Sequence, residues 1–215
     1  MGLLALVAVL GYLLGSIPTA VIASRIVMHD DIRKYGSKNA GATNVFRVMG
    51  WKPALAVVLV DVLKGTAATL LIPAIGIGRV PLDPVMTKAL AGTAAILGHV
   101  WTVFAGFKGG KGVGTAFGVL LGLAPVPVLI TFVVWLALVL TTRIVSVGSL
   151  AAAVVLPVAL ILQRVYFKPE IPSGLLVLCG CLAVLIFVTH RSNIRRLLKG
   201  EENRFGSAKR PEGKP

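Results

Sequence analysis

Acidic side chains are scarce in this chain: 215 residues carry eight Asp and Glu against 22 Lys and Arg, a net charge of +14. No pair of carboxylates stands near a candidate site, which argues against hydrolysis by two carboxylates. Cysteine is nearly absent. Cys179 and Cys181 lie two apart in an apolar run, on different sides of a helix, and so suit packing rather than a metal site or a disulfide framework. The three histidines, His29, His99 and His190, form no His-Glu-x-x-His pair, and no Gly-x-Ser-x-Gly elbow occurs, so the zinc and serine hydrolase signatures are missing. Without a ligand cluster, no metal is expected. Aromatics make up 7% of the chain and do not interleave with the basic residues. The charge therefore does not serve the stacking of nucleic acid bases, and anionic lipid headgroups and anionic substrates fit it better.

What the chain has is hydrocarbon. With 56% hydrophobic residues, 14% charged ones and a mean hydropathy of +0.90, it is too apolar to hide its surface in a soluble core. Apolar runs fall at 3–24, 53–75, 84–104, 113–124, 125–141, 145–163 and 173–189, each cut by Pro, Gly or charge. About twenty residues suffice to cross a bilayer, so the fourth run is short. Charge decides its status. Arg25, Arg33, Lys34, Lys38, Arg47 and Lys52 flank the first connection, Lys108 and Lys111 the third, Arg143 the fifth, and eight Lys and Arg follow the last run. If 113–124 crosses, all of these lie on the cytoplasmic side and only Arg79, Lys88, Arg164 and Lys168 lie near the other, as the positive-inside rule requires. The expected fold is an all-α integral membrane protein of seven transmembrane helices, N-terminus outside and C-terminus cytoplasmic. One membrane domain, 1–200, is expected, followed by a basic mobile tail, 201–215. The first run lacks a basic n-region and continues into a polar loop, so it reads as a retained span rather than a cleaved signal; Leu6 breaks the lipidation start pattern.

Polar residues gather in four places. Lys34 to Arg47 concentrates Gly, Ser, Asn, Thr and cations with no carboxylate, a set of many donors that suits a bound phosphate; the plainer reading is a basic cytoplasmic loop. Gly106-Phe107-Lys108-Gly109-Gly110-Lys111-Gly112-Val113-Gly114-Thr115 places glycine backbone beside two lysines, again apt for phosphate, with close helix packing as its alternative. It is no Walker A motif, since Ala105 and Gly112 stand where Gly and Ser or Thr are required. Thr142 to Ser149 puts Arg143, Ser146 and Ser149 at a span junction, equally apt for helix capping or for ligand contact. His190 and Asn193, three apart, share a helical face, and Asp61 and Lys64, also three apart, form a natural ion pair at depth whose role is neutralisation.

Gly36-Ser37-Lys38-Asn39-Ala40-Gly41-Ala42-Thr43-Asn44-Val45-Phe46-Arg47, Asp61-x-x-Lys64-Gly65, Gly98-His99, Phe107-Lys108-Gly109-Gly110-Lys111-Gly112-Val113, Ser146 to Ser149 and His190-x-x-Asn193 resemble, in order and over nearly the whole chain, the bacterial acyl-phosphate:glycerol-3-phosphate acyltransferases, the PlsY family. Lys38 and Ala40 stand where some relatives have Gly and Pro. No His29, His99 or His190 is followed by Asp after four residues, which excludes the His-x4-Asp arrangement of the soluble and peripheral glycerolipid acyltransferases. The resemblance implies an enzyme of the bacterial cytoplasmic (inner) membrane, its active site facing the cytoplasm. It would move a fatty acyl group from acyl phosphate to the 1-hydroxyl of glycerol 3-phosphate, giving lysophosphatidic acid and phosphate for phospholipid synthesis. It implies no cofactor, and as partners the two substrates, membrane phospholipids and the enzyme that makes the acyl phosphate.

By the same resemblance, Ser37, Arg47, Lys111, His190 and Asn193 hold the phosphate of glycerol 3-phosphate, with Ser146 nearby. Asn39, Gly41, Thr43, Asn44, Lys108 and the backbone of Gly109, Gly110 and Gly112 cradle the acyl-phosphate head, and the acyl chain lies between spans. An acyl phosphate is already activated, so the protein need only align two anions and neutralise the departing phosphate. With no carboxylate expected in the site, the substrate's own phosphate is the expected base and His190 a hydrogen-bond donor. Two rivals stay open at this point: a small anion or phospholipid transporter, against which the absence of an internal repeat counts, and an inert scaffold.

Overall fold

The computed structural model describes residues 2–75, 82–167 and 171–205. Arg79, Lys168 and the tail residues 206–215, with Lys209, Arg210 and Lys214, lie outside them. Ten α-helices and no strand occur among the described residues: α1 (Gly2–Gly15), α2 (Thr19–Met28), α3 (Ala42–Met49), α4 (Trp51–Leu70), α5 (Pro84–Val100), α6 (Val113–Leu123), α7 (Pro125–Thr142), α8 (Val145–Phe167), α9 (Ser173–Thr189) and α10 (Arg191–Leu198). Prolines mark several starts, Pro84 and Pro125 at first helical positions where a missing N–H costs nothing.

Five stretches are long and apolar enough to cross a membrane: Gly2–Met28, Trp51–Ala74, Pro84–Ala105, Pro125–Thr142 and Val145–Phe167. α9 and α10 together make a sixth candidate bent by 61°. α6, with 11 residues, is about 16 Å long, half a hydrocarbon core.

Close approach of backbones sets the packing. Gly11 and Gly15 of α1 lie against Ala91 and Ala95 of α5, with no room for a side chain at either glycine, so the two helices run parallel in a small-residue seam. The same device joins α4 to α6, where Gly65 faces Thr115, Gly118 faces Val62 and Gly122 faces Thr69 and Leu70. From one end of the seam to the other, Gly114 lies at Asp61, Gly118 at Thr66 and Gly122 at Leu70, so α6 runs parallel to α4. Against α5 it runs the other way, Gly92 meeting Val119 while Ile96 and Val100 meet Gly112. The starts of α4, α6 and α8 and the ends of α5, α7 and α9 thus gather at one end of the bundle, with α3 and α10 lying there as short polar helices.

Candidate active site

At that end a cavity of about 500 Å³ opens. Its head is polar. Three helix starts reach it, Gly41 to Thr43 of α3, Gly112 to Gly114 of α6, and Val145 with Ser146 of α8, and helix starts carry unpaired N–H groups and positive potential that suit an anion. Around them stand Ser37, Asn39, Arg47, Lys111, His190 and Asn193. Most of the expected residues therefore meet in one place, although four connections far apart in the chain supply them. The cavity then continues between α6, α7, α8 and α9 into an apolar sleeve that includes Leu120, Phe132, Trp135, Leu156 and Leu182. A polar head of cations joined to a hydrocarbon sleeve is the shape of an amphiphile with an anionic headgroup.

Burial sets the electrostatics of the head. Withdrawal from water, first of all, pushes Lys111 down to about 8; Glu202 opposes this, while Arg196 and Arg47 add to it. Burial also lowers Arg47, with Glu202 again opposing and Arg196 adding. The Lys111 ammonium donates to Asn193 Oδ1. Ser146 Oγ is buried and has no hydrogen-bond partner in the protein, so it is a polar atom left for a ligand. His190 sits just past α9 with Nδ1 2.8 Å from the Ile186 carbonyl. That contact requires the proton on Nδ1, so the neutral ring keeps Nε2 as an acceptor. Burial, then Lys111, push His190 down to about 4. The expectation of a donating His190 is therefore corrected, because its one proton is already committed to Ile186.

Three further expectations change. Lys108, Gly109 and Gly110 do not line the cavity. Lys108 and Gly109 border a separate outer groove with Asp31, Arg33, Lys34 and Lys38. The Gly109 and Gly110 N–H groups donate to Val100 and His99 carbonyls, at 3.1 Å each, and so cannot cradle a phosphate. A side chain at Gly110 would strike the His99 ring. These glycines serve packing. Asn44 lines the cavity but its amide is spent on the loop: Oδ1 accepts from Ser37 N at 2.8 Å, and Nδ2 donates to the carbonyls of Ile32, Tyr35 and Asn39 at 3.2, 3.0 and 3.1 Å. It shapes the loop that presents Ser37. Lys38 adopts a left-handed φ of 59°, a conformation glycine takes more easily.

The third concerns carboxylates, since two line the cavity where none was expected. Asp61 is pinned by Lys64 and Thr19, at 2.7 and 3.0 Å. Glu202 belongs to the segment read as mobile tail, yet it is buried, with Asn193 Nδ2 and Arg196 Nε each donating to it at 2.7 Å. The expected boundary at residue 200 falls inside a packed segment. The only signal for Glu202 in the sequence is an acidic pair, Glu201-Glu202, set in a basic stretch. His99 also lines the cavity, 3.4 Å from Asp61. Among the described residues no group of three His, Cys, Asp or Glu could hold a metal ion.

This is a helical integral membrane protein with a cationic, donor-rich cavity head set on an apolar sleeve. The profile of the glycerol-3-phosphate acyltransferase family matches residues 5–200, and the chain belongs to that family. Glycerol-3-phosphate acyltransferases of Chlorobaculum tepidum and Chlorobium luteolum are 43% and 44% identical to it, over 93% and 95% of this chain and 95% and 97% of theirs. Crystal structures of PlsY, an integral membrane glycerol 3-phosphate acyltransferase, in its glycerol 3-phosphate and lysophosphatidic acid forms, match at 37% and 36% identity with TM-scores of 0.79 and 0.77, each over 95% of this chain and 96% of theirs.

Proposed function

We propose that this chain transfers a fatty acyl group from acyl phosphate to the 1-hydroxyl of glycerol 3-phosphate, releasing lysophosphatidic acid and phosphate. The observation that carries the reading is the continuity of the cavity, whose cationic, donor-rich head opens directly into a sleeve for a hydrocarbon chain. Acyl phosphate has that form, and the relatives act on glycerol 3-phosphate by name. Ser37, Arg47, Lys111 and Asn193 hold the acceptor phosphate, and the starts of α3, α6 and α8, with Asn39, Thr43 and Ser146, receive the acyl-phosphate head. Departing phosphate leaves as an anion, and the fixed N–H groups and cations lower the cost of that charge. No nucleophile from the protein is needed, since the mixed anhydride is already activated.

Seven crossings, with the N-terminus outside, are part of the same reading. It is supported by Lys111, Ser146 and His190 lining one cavity, with α6 leaving the site end and α7 returning to it, and by the parallel course of α6 and α4. The basic residues of the connections at that end support a site facing the cytoplasm from the bacterial inner membrane, within reach of the enzyme that makes acyl phosphate. Purified protein supplied with acyl phosphate and glycerol 3-phosphate should release phosphate and form lysophosphatidic acid, whereas acyl-CoA or acyl carrier protein should not replace the donor. Equal rates with acyl-CoA in a phosphate-free assay would overturn the choice of donor.

A further inference from the structure

The segment after α10 returns across the site as a strap. Glu201 N donates to the Arg196 carbonyl at 2.8 Å and Phe205 N to the Arg143 carbonyl at 2.7 Å. The Phe205 ring meets Phe46 edge-on, centroids 4.7 Å apart. The strap is thereby tied to α10, to the α7–α8 junction and to α3, the helix that carries Arg47. At its centre the Glu202 side chain is 2% exposed. Its two oxygens take the Asn193 amide and the Arg196 guanidinium, and the other face of Asn193 takes Lys111.

A carboxamide has a donating face and an accepting face, and in isolation nothing decides which one meets a neighbour. An ionised carboxylate can only accept, so Glu202 compels Nδ2 toward itself and turns Oδ1 toward the ammonium. We infer that Glu202 is a positioning residue of the anion site, fixing the Asn193 carboxamide so that Lys111 is held at the phosphate seat, with the strap keeping Glu202 in place. The inference rests on the acyltransferase reading of the cavity. It does not make Glu202 a base, because both its oxygens are engaged by cation or amide.

The charges around Lys111 make the inference measurable. Arg47 from α3 and Arg196 from α10 push its ammonium toward neutrality, and only Glu202 opposes them; His190 beside it is neutral near pH 7. A glutamine at 202 has nearly the same shape but no charge, so the charge that opposes Arg47 and Arg196 at Lys111 is lost and the Asn193 carboxamide is left anchored from the Lys111 side alone.

The test uses the full chain in detergent and compares wild type with Glu202→Gln and Glu202→Asp. It measures kcat and KM for glycerol 3-phosphate between about pH 7.5 and 9.5, above the second phosphate ionisation near 6, and glycerol 3-phosphate binding by calorimetry over the same range. The pH profile of kcat/KM reports groups of the free enzyme. Glu202→Gln should move the basic limb down by about one pH unit and lower kcat/KM near pH 8 roughly fivefold, through KM. Glu202→Asp, which keeps the charge, should return the limb to its wild-type position. An unmoved limb in Glu202→Gln overturns the inference, and so does tighter binding of glycerol 3-phosphate, the result expected if the carboxylate competed for the seat. Should Glu202→Gln fail to fold, Phe205→Ala loosens the strap while leaving every charge in place: a lowered limb supports the inference and an unmoved one overturns it. Wild-type protein that binds glycerol 3-phosphate without transferring acyl groups overturns the acyltransferase reading alone, and the limb is then read in the binding data.

Discussion

Asp61 and Lys64 stand one turn apart on α4, with Oδ1 and Nζ separated by 2.7 Å and both side chains almost wholly buried. Thr19 at the start of α2 donates to the same Asp61 oxygen at 3.0 Å, and Lys64 donates to the Ile17 carbonyl at 2.9 Å, so the pair ties α4 to the break between α1 and α2. Deleting one member of a buried pair leaves the other uncompensated, at a cost of about 3 to 5 kcal/mol. Lys64→Met should therefore lower the thermal unfolding midpoint in detergent markedly, and the double variant with Asp61→Asn should recover part of the loss. A wild-type midpoint for Lys64→Met would show that the pair contributes little.

The anion clamp gives a second expectation. Arg47 and Lys111 are partly withdrawn from water at the cavity head, where loss of one cation that pairs with a phosphate costs roughly 2 to 5 kcal/mol of transition-state stabilisation. Arg47→Ala and Lys111→Ala should each lower kcat/KM accordingly. Lys199→Ala, on an exposed residue beyond α10, should change little. Near-normal turnover in both site variants would move the site elsewhere.

The glycines of the third connection separate packing from ligand binding. A side chain at Gly109 would collide with the His99 carbonyl, whereas Gly180 of α9 has nothing within 4 Å. Overpacking costs about 1 to 3 kcal/mol, so Gly109→Ala should lower stability and Gly180→Ala should not. A phosphate cradle would give the opposite signature: Gly109→Ala with normal melting but a raised KM for acyl phosphate.

These residues also mark how far the sequence could be read. The apolar runs were legible because hydrocarbon length is a property of composition, and the Asp61 and Lys64 pair because two opposite charges three apart at depth have few other solutions. The partners of the Gly109 and Gly110 N–H groups are not legible, because glycine content says that backbone can approach something closely, not whether that thing is a phosphate or the Val100 and His99 carbonyls. Asn44 reads as a substrate donor in the sequence because its partners are fixed only once the loop has closed on itself. Glu202 was hidden for a related reason: a charged, glycine-bearing terminus reads as solvated, and its burial depends on the Phe205 and Phe46 contact between segments far apart in the chain.

Charge asymmetry gives a topological expectation. In a background with Cys179 and Cys181 replaced, a single cysteine at Lys38 or Lys199 should be shielded from impermeant reagent in intact cells, and one at Asp83 should react. Labelling of positions 38 and 199 from opposite sides would sink the seven-span arrangement.

The proton of the 1-hydroxyl still needs a destination. Asp61 and Glu202 are held in ion pairs, and His190, pushed down to about 4 and pinned through Nδ1, can accept a hydrogen bond from the hydroxyl but is too weak a base to keep the proton near pH 7. A phosphate oxygen of glycerol 3-phosphate can reach its own hydroxyl, and its second ionisation near 6 makes it the stronger base. General-base catalysis contributes about 10² to 10⁴ in rate. Glycerol, lacking the phosphate, should lose that factor in its maximal rate besides its binding, whereas His190→Ala should act mainly by misplacing the hydroxyl and retain measurable turnover with glycerol 3-phosphate. If His190→Ala abolishes turnover while glycerol 3-phosphate still binds normally, the enzyme carries its own base and the substrate does not supply it.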